Sequence, residues 1–325
     1  MKKIIAILAV VVIFVTIGIV IDVNNVTDVL IYSSMEEYRL VELQKQLKEE
    51  FPNYNIDVQY MSTNKSASKI KSEGKKTQVD IVLDLEFAYA KMLEENFAKV
   101  DFIDTSIYLD NLIISDKFYP NYISSFGVIV NNNRLKELGL SIPSSYDDLL
   151  KPEYEGEIIM PSPKASGTGY SFVKALLNYY GEEEGWKYFE ELNKNMKMYT
   201  SSGSGPVNSL ILGETTIGVG MVAQAVNEIN KGVDLSIVEM KEGNGYNATA
   251  NAIIVGKEKK AKVVEVFKFI QNEFVVYDKQ NFMPENIYKE EIETNVSNYP
   301  KLKPMDMKGF DSLDEKERIL AKWKY

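Results

Sequence analysis

Short apolar runs rich in β-branched side chains alternate with longer stretches that repeat their apolar residues at helical spacing, and this rhythm limits the folds open to the chain. "VLIYSS" (29–34) reads as a buried strand ending in hydroxyls. An amphipathic helix follows in "EYRLVELQKQLKEEF", with Leu40, Leu43, Leu47 and Phe51 on one face. "NIDVQYM" and "VDIVLDL" are further strands, each followed by a helical stretch. A βαβαβα order of this kind predicts an α/β sheet, mostly parallel, with helices packed on it. The pattern persists downstream. "YISSFGVIVNN", "GEIIMP", "MKMYTS", "TIGVGMV", "DLSIVEM" and "GNGYNATANAIIVG" read as strands, with helices between them and in "AKVVEVFKFIQNEF". At 325 residues the chain is long enough for two domains, each with its own core.

The N-terminus differs in kind. Lys2 and Lys3 precede an uncharged apolar run from residue 4 to residue 21, which Asp22 ends. As a helix this run would be about 27 Å long, close to the hydrocarbon thickness of a bilayer. The flanking lysines predict that everything after Asp22 faces outward. No small-x-small cleavage site is evident, so an uncleaved anchor is expected, with a signal segment as the alternative.

Composition removes whole classes of chemistry. The chain has no cysteine and no histidine, which excludes disulfides, thiolate nucleophiles, serine–histidine triads and imidazole-held metals. A net charge of −10 leaves no broad basic surface for nucleic acid. S-x-x-K occurs at Ser62–Lys65, Ser66–Lys69 and Ser68–Lys71, but without a K-T-G partner, in a stretch crowded with both residue types. No enzyme activity and no cofactor are expected.

The candidate site residues lie where strands give way to helices. "SPKASGTGYSF" (162–172) sets Ser166, Gly167 and Thr168 just before an apolar periodic stretch. "SSGSGPVNSLILG" (201–213) does the same with Ser202, Gly203 and Ser204, with Pro206 suited to a first helical turn. Ser33 and Ser34 end the first strand, and "STNKSAS" (62–68), with Asn64 and Lys65, follows the second. A helix start offers unpaired amide N–H groups and a partial positive charge, glycine admits close approach, and hydroxyls add donors. A serine at such a position is more often a simple helix cap. All four stretches lie at strand-to-helix turns, however, and together they suit an anion-binding site at the open edge of an α/β sheet.

These residues resemble the extracellular solute-binding proteins of ABC importers, in the branch of ferric-ion, 2-aminoethylphosphonate and phosphosugar binders. The matching pieces are "LIYSSMEE", "VDIVLD", "YEGEIIMPSPKASGTGYSF", "GETTIGVGMV", "EGNGYNATANAIIVG" and "YPKLKPMD" with "ILAKW". The resemblance implies a two-lobed type 2 periplasmic-binding fold: two mixed sheets flanked by helices, with a ligand cleft between the lobes. Two crossing strands, "SSFGVIVNN" and "GYNATANAII", would join lobe I (28–126 plus 248–325) to lobe II (127–247), with residues 1–27 as the anchor or signal segment. The implied partners are a small anionic solute, the transmembrane subunits of an ABC permease, and the membrane through the N-terminal segment. A monomer on the outer face of the cell membrane is expected.

A phosphonate such as 2-aminoethylphosphonate, or a phosphate ester, suits the hydroxyl-rich helix starts. Asp84 and Glu86 would face an ammonium if the solute carries one, and Lys65 and Lys164 could add positive charge. Gln224 and Tyr246 complete the candidate set. Ferric ion is the alternative ligand, but ferric-binding relatives carry adjacent tyrosines where this chain has Met221, Val222, Ala223 and Gln224. A ligand-binding sensory domain is the rival reading from another class.

Overall fold

The computed structural model describes residues 27–325. The expected anchor at residues 4–21 lies outside them. Among the described residues no helix is long and apolar enough to cross a membrane.

The strands in chain order are β1 Val29–Ser33, β2 Ile56–Tyr60, β3 Ile81–Glu86, β4 Tyr119–Asn131, β5 Ile158–Pro161, β6 Met196–Thr200, β7 Ile217–Met221, β8 Leu235–Val238 and β9 Tyr246–Ile253. The helices are α1 Glu37–Glu50, α2 Thr63–Glu73, α3 Phe87–Met92, α4 Asn132–Leu138, α5 Gly167–Tyr180, α6 Glu182–Asn195, α7 Gly205–Ile211, α8 Val222–Asn230, α9 Ala261–Phe269, α10 Val275–Asn281 and α11 Leu313–Lys322. A π-helical turn, Ile270–Phe274, joins α9 to α10.

The strand order β2-β1-β3-β9-β4-β7-β5-β6, with β8 also on β4, is mixed rather than mostly parallel. β1 runs parallel to β2 and β3, and β5 parallel to β6 and β7, as short βαβ crossovers require. β9 runs antiparallel to both β3 and β4. β4 is long enough to serve both halves. Its first part pairs with β9, from Tyr119↔Asn251 to Ser125↔Tyr246. Its second part pairs with β7 and β8, from Phe126↔Met221 onward.

Two hydrophobic cores lie on either side of this crossing. One gathers residues such as Ile31, Leu43, Ile81, Leu85, Phe97 and Phe267. The other gathers Phe126, Val128, Phe172, Leu176, Phe189 and Val219. The last part of the chain packs into the second core through Met305, Met307, Phe310, Ile319 and Trp323. The sequence expectation kept 248–325 with the first lobe, and α11 also touches that half, where Lys316 meets Glu86 and Tyr89. "ILAKW" is too short a stretch to reveal which core its apolar face meets.

Both ladders that flank β9 are irregular at the same level. Between β3 and β9 the register shifts between Val82 and Leu85, and between β4 and β9 it shifts between Pro120 and Ile123. Each shift puts an extra residue against β9, the hallmark of a β-bulge, which bends the strand and re-aims side chains. Asp84 sits in the first bulge with a left-handed φ of 67°. Its backbone N–H leaves the ladder and donates to Asn251 Oδ1 at 3.1 Å.

Candidate functional site

A cleft of about 1110 Å³ opens where the bulges and the helix starts meet, at the boundary between the two cores. Three helices begin at its wall: α2 after Ser62, α5 after Ser166 and α7 after Ser204. None of these three serine side chains caps its own helix. Their hydroxyls are therefore not committed to the helix amides, unlike an ordinary capping serine. Ser202 and Ser204 pair hydroxyl to hydroxyl at 3.2 Å. Gly203 lets the 201–204 loop lie against the start of α5, since a Cβ there would fall 2.5 Å from Thr168 Oγ1 and 3.3 Å from Ser166 Oγ.

Most of the candidate residues converge. Ser34, Asn64, Lys65, Asp84, Ser166, Gly167, Thr168, Ser202, Gly203 and Ser204 all line the cleft, as do Glu86 and Lys164. Three others lie elsewhere. Ser33 is buried, and its hydroxyl accepts from the Met35 N–H at 3.2 Å. Gln224 is buried behind α7, where its amide donates to Asn208 Oδ1 at 2.8 Å. Tyr246 lines a separate recess of about 250 Å³ with Glu285 and Tyr299. Period-2 alternation and helix-start patterns locate an element's end, but they do not say which face of it turns to the cleft.

Asp84 forms the floor. Its Oδ1 accepts from Asn121 Nδ2 at 3.2 Å and from Thr249 Oγ1 at 3.1 Å. Its Oδ2 accepts from Ser34 Oγ at 3.2 Å. Burial pushes its pKa up to about 6, against the pull of Arg39. Arg39 lies fully buried behind the floor. It holds Asp278 through two bonds of 2.8 and 2.5 Å, donates to Glu36 at 2.8 Å, and stacks 4.3 Å from the centre of the Tyr122 ring. Removed from water, such a charge needs this full set of partners.

Glu86 forms one side wall. Its Oε2 accepts from Lys316 Nζ of α11 at 2.5 Å, and both side chains are about 1% exposed. The ammonium also lies 4.3 Å from the Tyr89 ring centre and 4.2 Å from that of Tyr170. Burial pushes the Lys316 pKa down, and Glu86 opposes that shift. The expectation that Glu86 would wait for a solute ammonium thus meets a protein cation already in place. By contrast, Lys65 and Lys164 at the rim have no ion-pair partner among the described residues. The two halves also touch at the rim, where Asn64 Nδ2 donates to the Lys164 carbonyl at 2.6 Å.

Sequence reasoning missed Glu36, Tyr122, Asn247 and Thr249, all in the cleft wall. A signal existed for part of this. Asn247, Thr249 and Asn251 alternate along "YNATANAI", so a buried strand carries polar residues on one face.

A family model described as bacterial extracellular solute-binding protein matches residues 76–316. An uncharacterized protein of Haemophilus influenzae is 34% identical over 136 residues, covering 42% of this chain and 39% of its own. The phosphoglycerate transport regulatory protein PgtC of Salmonella typhimurium is 28% identical over 88 residues, covering 27% of this chain and 22% of its own. The chain thus spans well under half the length of these curated relatives. The fold resembles that of the periplasmic binding protein AfuA from Actinobacillus pleuropneumoniae with exogenous fructose-6-phosphate bound. The TM-score is 0.78 at 23% identity, over 91% of this chain and 97% of that one. It also resembles the apo ferric ion-binding protein A of Pasteurella haemolytica, with a TM-score of 0.70 at 16% identity over 90% and 95% of the two chains. The architecture is therefore the two-lobed type 2 periplasmic-binding fold.

Proposed function

The chain belongs to the bacterial extracellular solute-binding protein family, and from that premise we propose that it is the capture receptor of an ABC importer, closing its lobes over a small anionic solute, a phosphonate or phosphate ester. The observation that carries this reading is the convergence of three hydroxyl-bearing helix starts, from both sides of the crossing strands, on one cleft. An anion there would meet amide N–H groups, uncommitted hydroxyls and the unpaired cations Lys65 and Lys164. Two relatives point the same way by name, PgtC to phosphoglycerate and AfuA to fructose-6-phosphate.

In this reading one lobe comprises the first core and the other the second core with residues 305–323, and β4 and β9 are the hinge. Hinge closure brings the α2 start against the α5 start. Residues 4–21 tether or export the receptor, which works as a monomer at the outer face and delivers solute to permease subunits. A solute receptor of this kind performs no catalysis. Ferric ion is the weaker alternative: Met221, Val222, Ala223 and Gln224 stand where ferric-binding relatives carry adjacent tyrosines.

A thermal-shift panel of glycerol 3-phosphate, a hexose phosphate, 2-aminoethylphosphonate, inorganic phosphate, Fe³⁺ and putrescine tests the reading. A solute at 100 times its dissociation constant adds about 2.7 kcal/mol. The proposal requires stabilisation by at least one phosphoryl or phosphonyl compound. Stabilisation by Fe³⁺ or putrescine alone would overturn it.

A further inference from the structure

The buried side-chain atoms left without partners in the cleft wall are all acceptors. Glu86 Oε1, Asn64 Oδ1 and Asn247 Oδ1 are buried, and none finds a hydrogen-bond donor among the described residues. All three residues line the cleft. Glu86 pairs across the ladder with Thr249, and Asn247 lies two residues along β9 on the same face. A Cβ built on Gly167 would fall 3.0 Å from Glu86 Oε2 and 3.3 Å from Asn247 Nδ2, so both side chains meet at the α5 start. The Asn64 amide is oriented by its bond to the Lys164 carbonyl, which fixes Oδ1 as the free atom. A buried acceptor without a donor is costly, so closure over a solute lacking donors is penalised.

Charge narrows the class. Lys316 already matches the charge of Glu86, and its remaining faces cover two tyrosine rings. A solute ammonium placed there would face a neutral pair and a buried cation. A hydroxyl brings a donor without a charge.

We propose that the unpartnered acceptors Glu86 Oε1, Asn64 Oδ1 and Asn247 Oδ1 form a subsite beside the anion-binding helix starts, and that it selects phosphate esters bearing neutral hydroxyls over those bearing an ammonium or no donor. This rests on the anion reading above and narrows it. Lys316 is a positioning residue that holds the Glu86 carboxyl in place.

The test is calorimetric titration of the full chain with glycerol 3-phosphate, propyl phosphate and phosphoethanolamine, compared in the wild type, in Asn247→Ala, and in the double variant Glu86→Met with Lys316→Met. In the wild type, glycerol 3-phosphate should bind at least tenfold tighter than each of the other two. Asn247→Ala, which leaves the ion pair untouched, should lose most of that preference while propyl phosphate affinity changes less than twofold. The double variant should behave in the same way, and its melting curve reports whether it is folded. If propyl phosphate binds as well as glycerol 3-phosphate, the subsite is wrong and the anion site stands. Tighter binding of phosphoethanolamine also overturns the subsite. If no ester binds, the anion reading falls and this proposal with it.

Discussion

Replacing Asp84 with asparagine should make the solute-free protein more stable, although it alters the floor of the cleft. The carboxyl is buried, and its pKa is raised from 3.8 to about 6. At about 1.4 kcal/mol per tenfold change in proton affinity, that shift costs the folded state roughly 3 kcal/mol at neutral pH. Asparagine removes the charge and tolerates the left-handed φ of 67° better than most residues. Few hydrogen bonds need be lost. The amide oxygen can take the place of Oδ1 and accept from Asn121 and Thr249. The amide nitrogen can donate to Ser34 Oγ, which still donates to the residue 84 carbonyl. The net gain should be about 2–3 kcal/mol at pH 8. Its pH dependence follows from the folded pKa lying above the unfolded one. The wild-type penalty is present in full above about pH 6, is relieved as the pH falls from 6 towards 3.8, and is absent below. Urea titrations followed by the fluorescence of buried Trp323 would measure the gain at pH 8, 6 and 4.5. No gain at pH 8, or a gain that does not shrink by pH 4.5, would show that the Asp84 charge does not destabilise the fold.

Three further outcomes follow from the geometry. Lys316→Met strands Glu86 in a buried site and should cost about 3–5 kcal/mol by urea denaturation, while adding Glu86→Met should restore most of the loss; equal costs for the single and double variants would contradict the pairing. Ser166→Ala with Ser202→Ala should weaken glycerol 3-phosphate binding more than tenfold by calorimetry and leave the melting curve nearly unchanged, because neither hydroxyl caps a helix; unchanged affinity would move the anion elsewhere. Gly203→Ala should also weaken that affinity at least tenfold, since its Cβ would strike Thr168 Oγ1 at 2.5 Å and push the 201–204 loop off the α5 start; retained affinity would show that this close approach is dispensable.

Much of this was legible in the sequence because it depends on local signals. The apolar period places β1, α1, β3 and β7 within a residue or two, and proline and glycine mark α7. The hydroxyl clusters at 162–172 and 201–213 announce their helix starts, and both open into the cleft. Three features were not legible, and each depends on long-range packing. The paired bulges at Asp84 and at Asn121–Tyr122 arise from register against β9, a strand more than 120 residues away in the chain. The charges of Arg39 and Lys316 look like solvated helix residues until Asp278 and Glu86 are brought against them. Ser33 and Ser34 are neighbours in sequence, but the strand pleat turns only Ser34 to the cleft.

In the proposed receptor, helix starts from both lobes close on one anion. A crystal structure grown with glycerol 3-phosphate tests it most directly. The phosphate oxygens should lie within hydrogen-bonding reach of the Ser166–Thr168 and Ser202–Ser204 segments on one side and of the α2 start on the other. Density for the phosphate away from both glycine–serine segments, or a cleft occupied instead by a metal held through tyrosine oxygens, would contradict it.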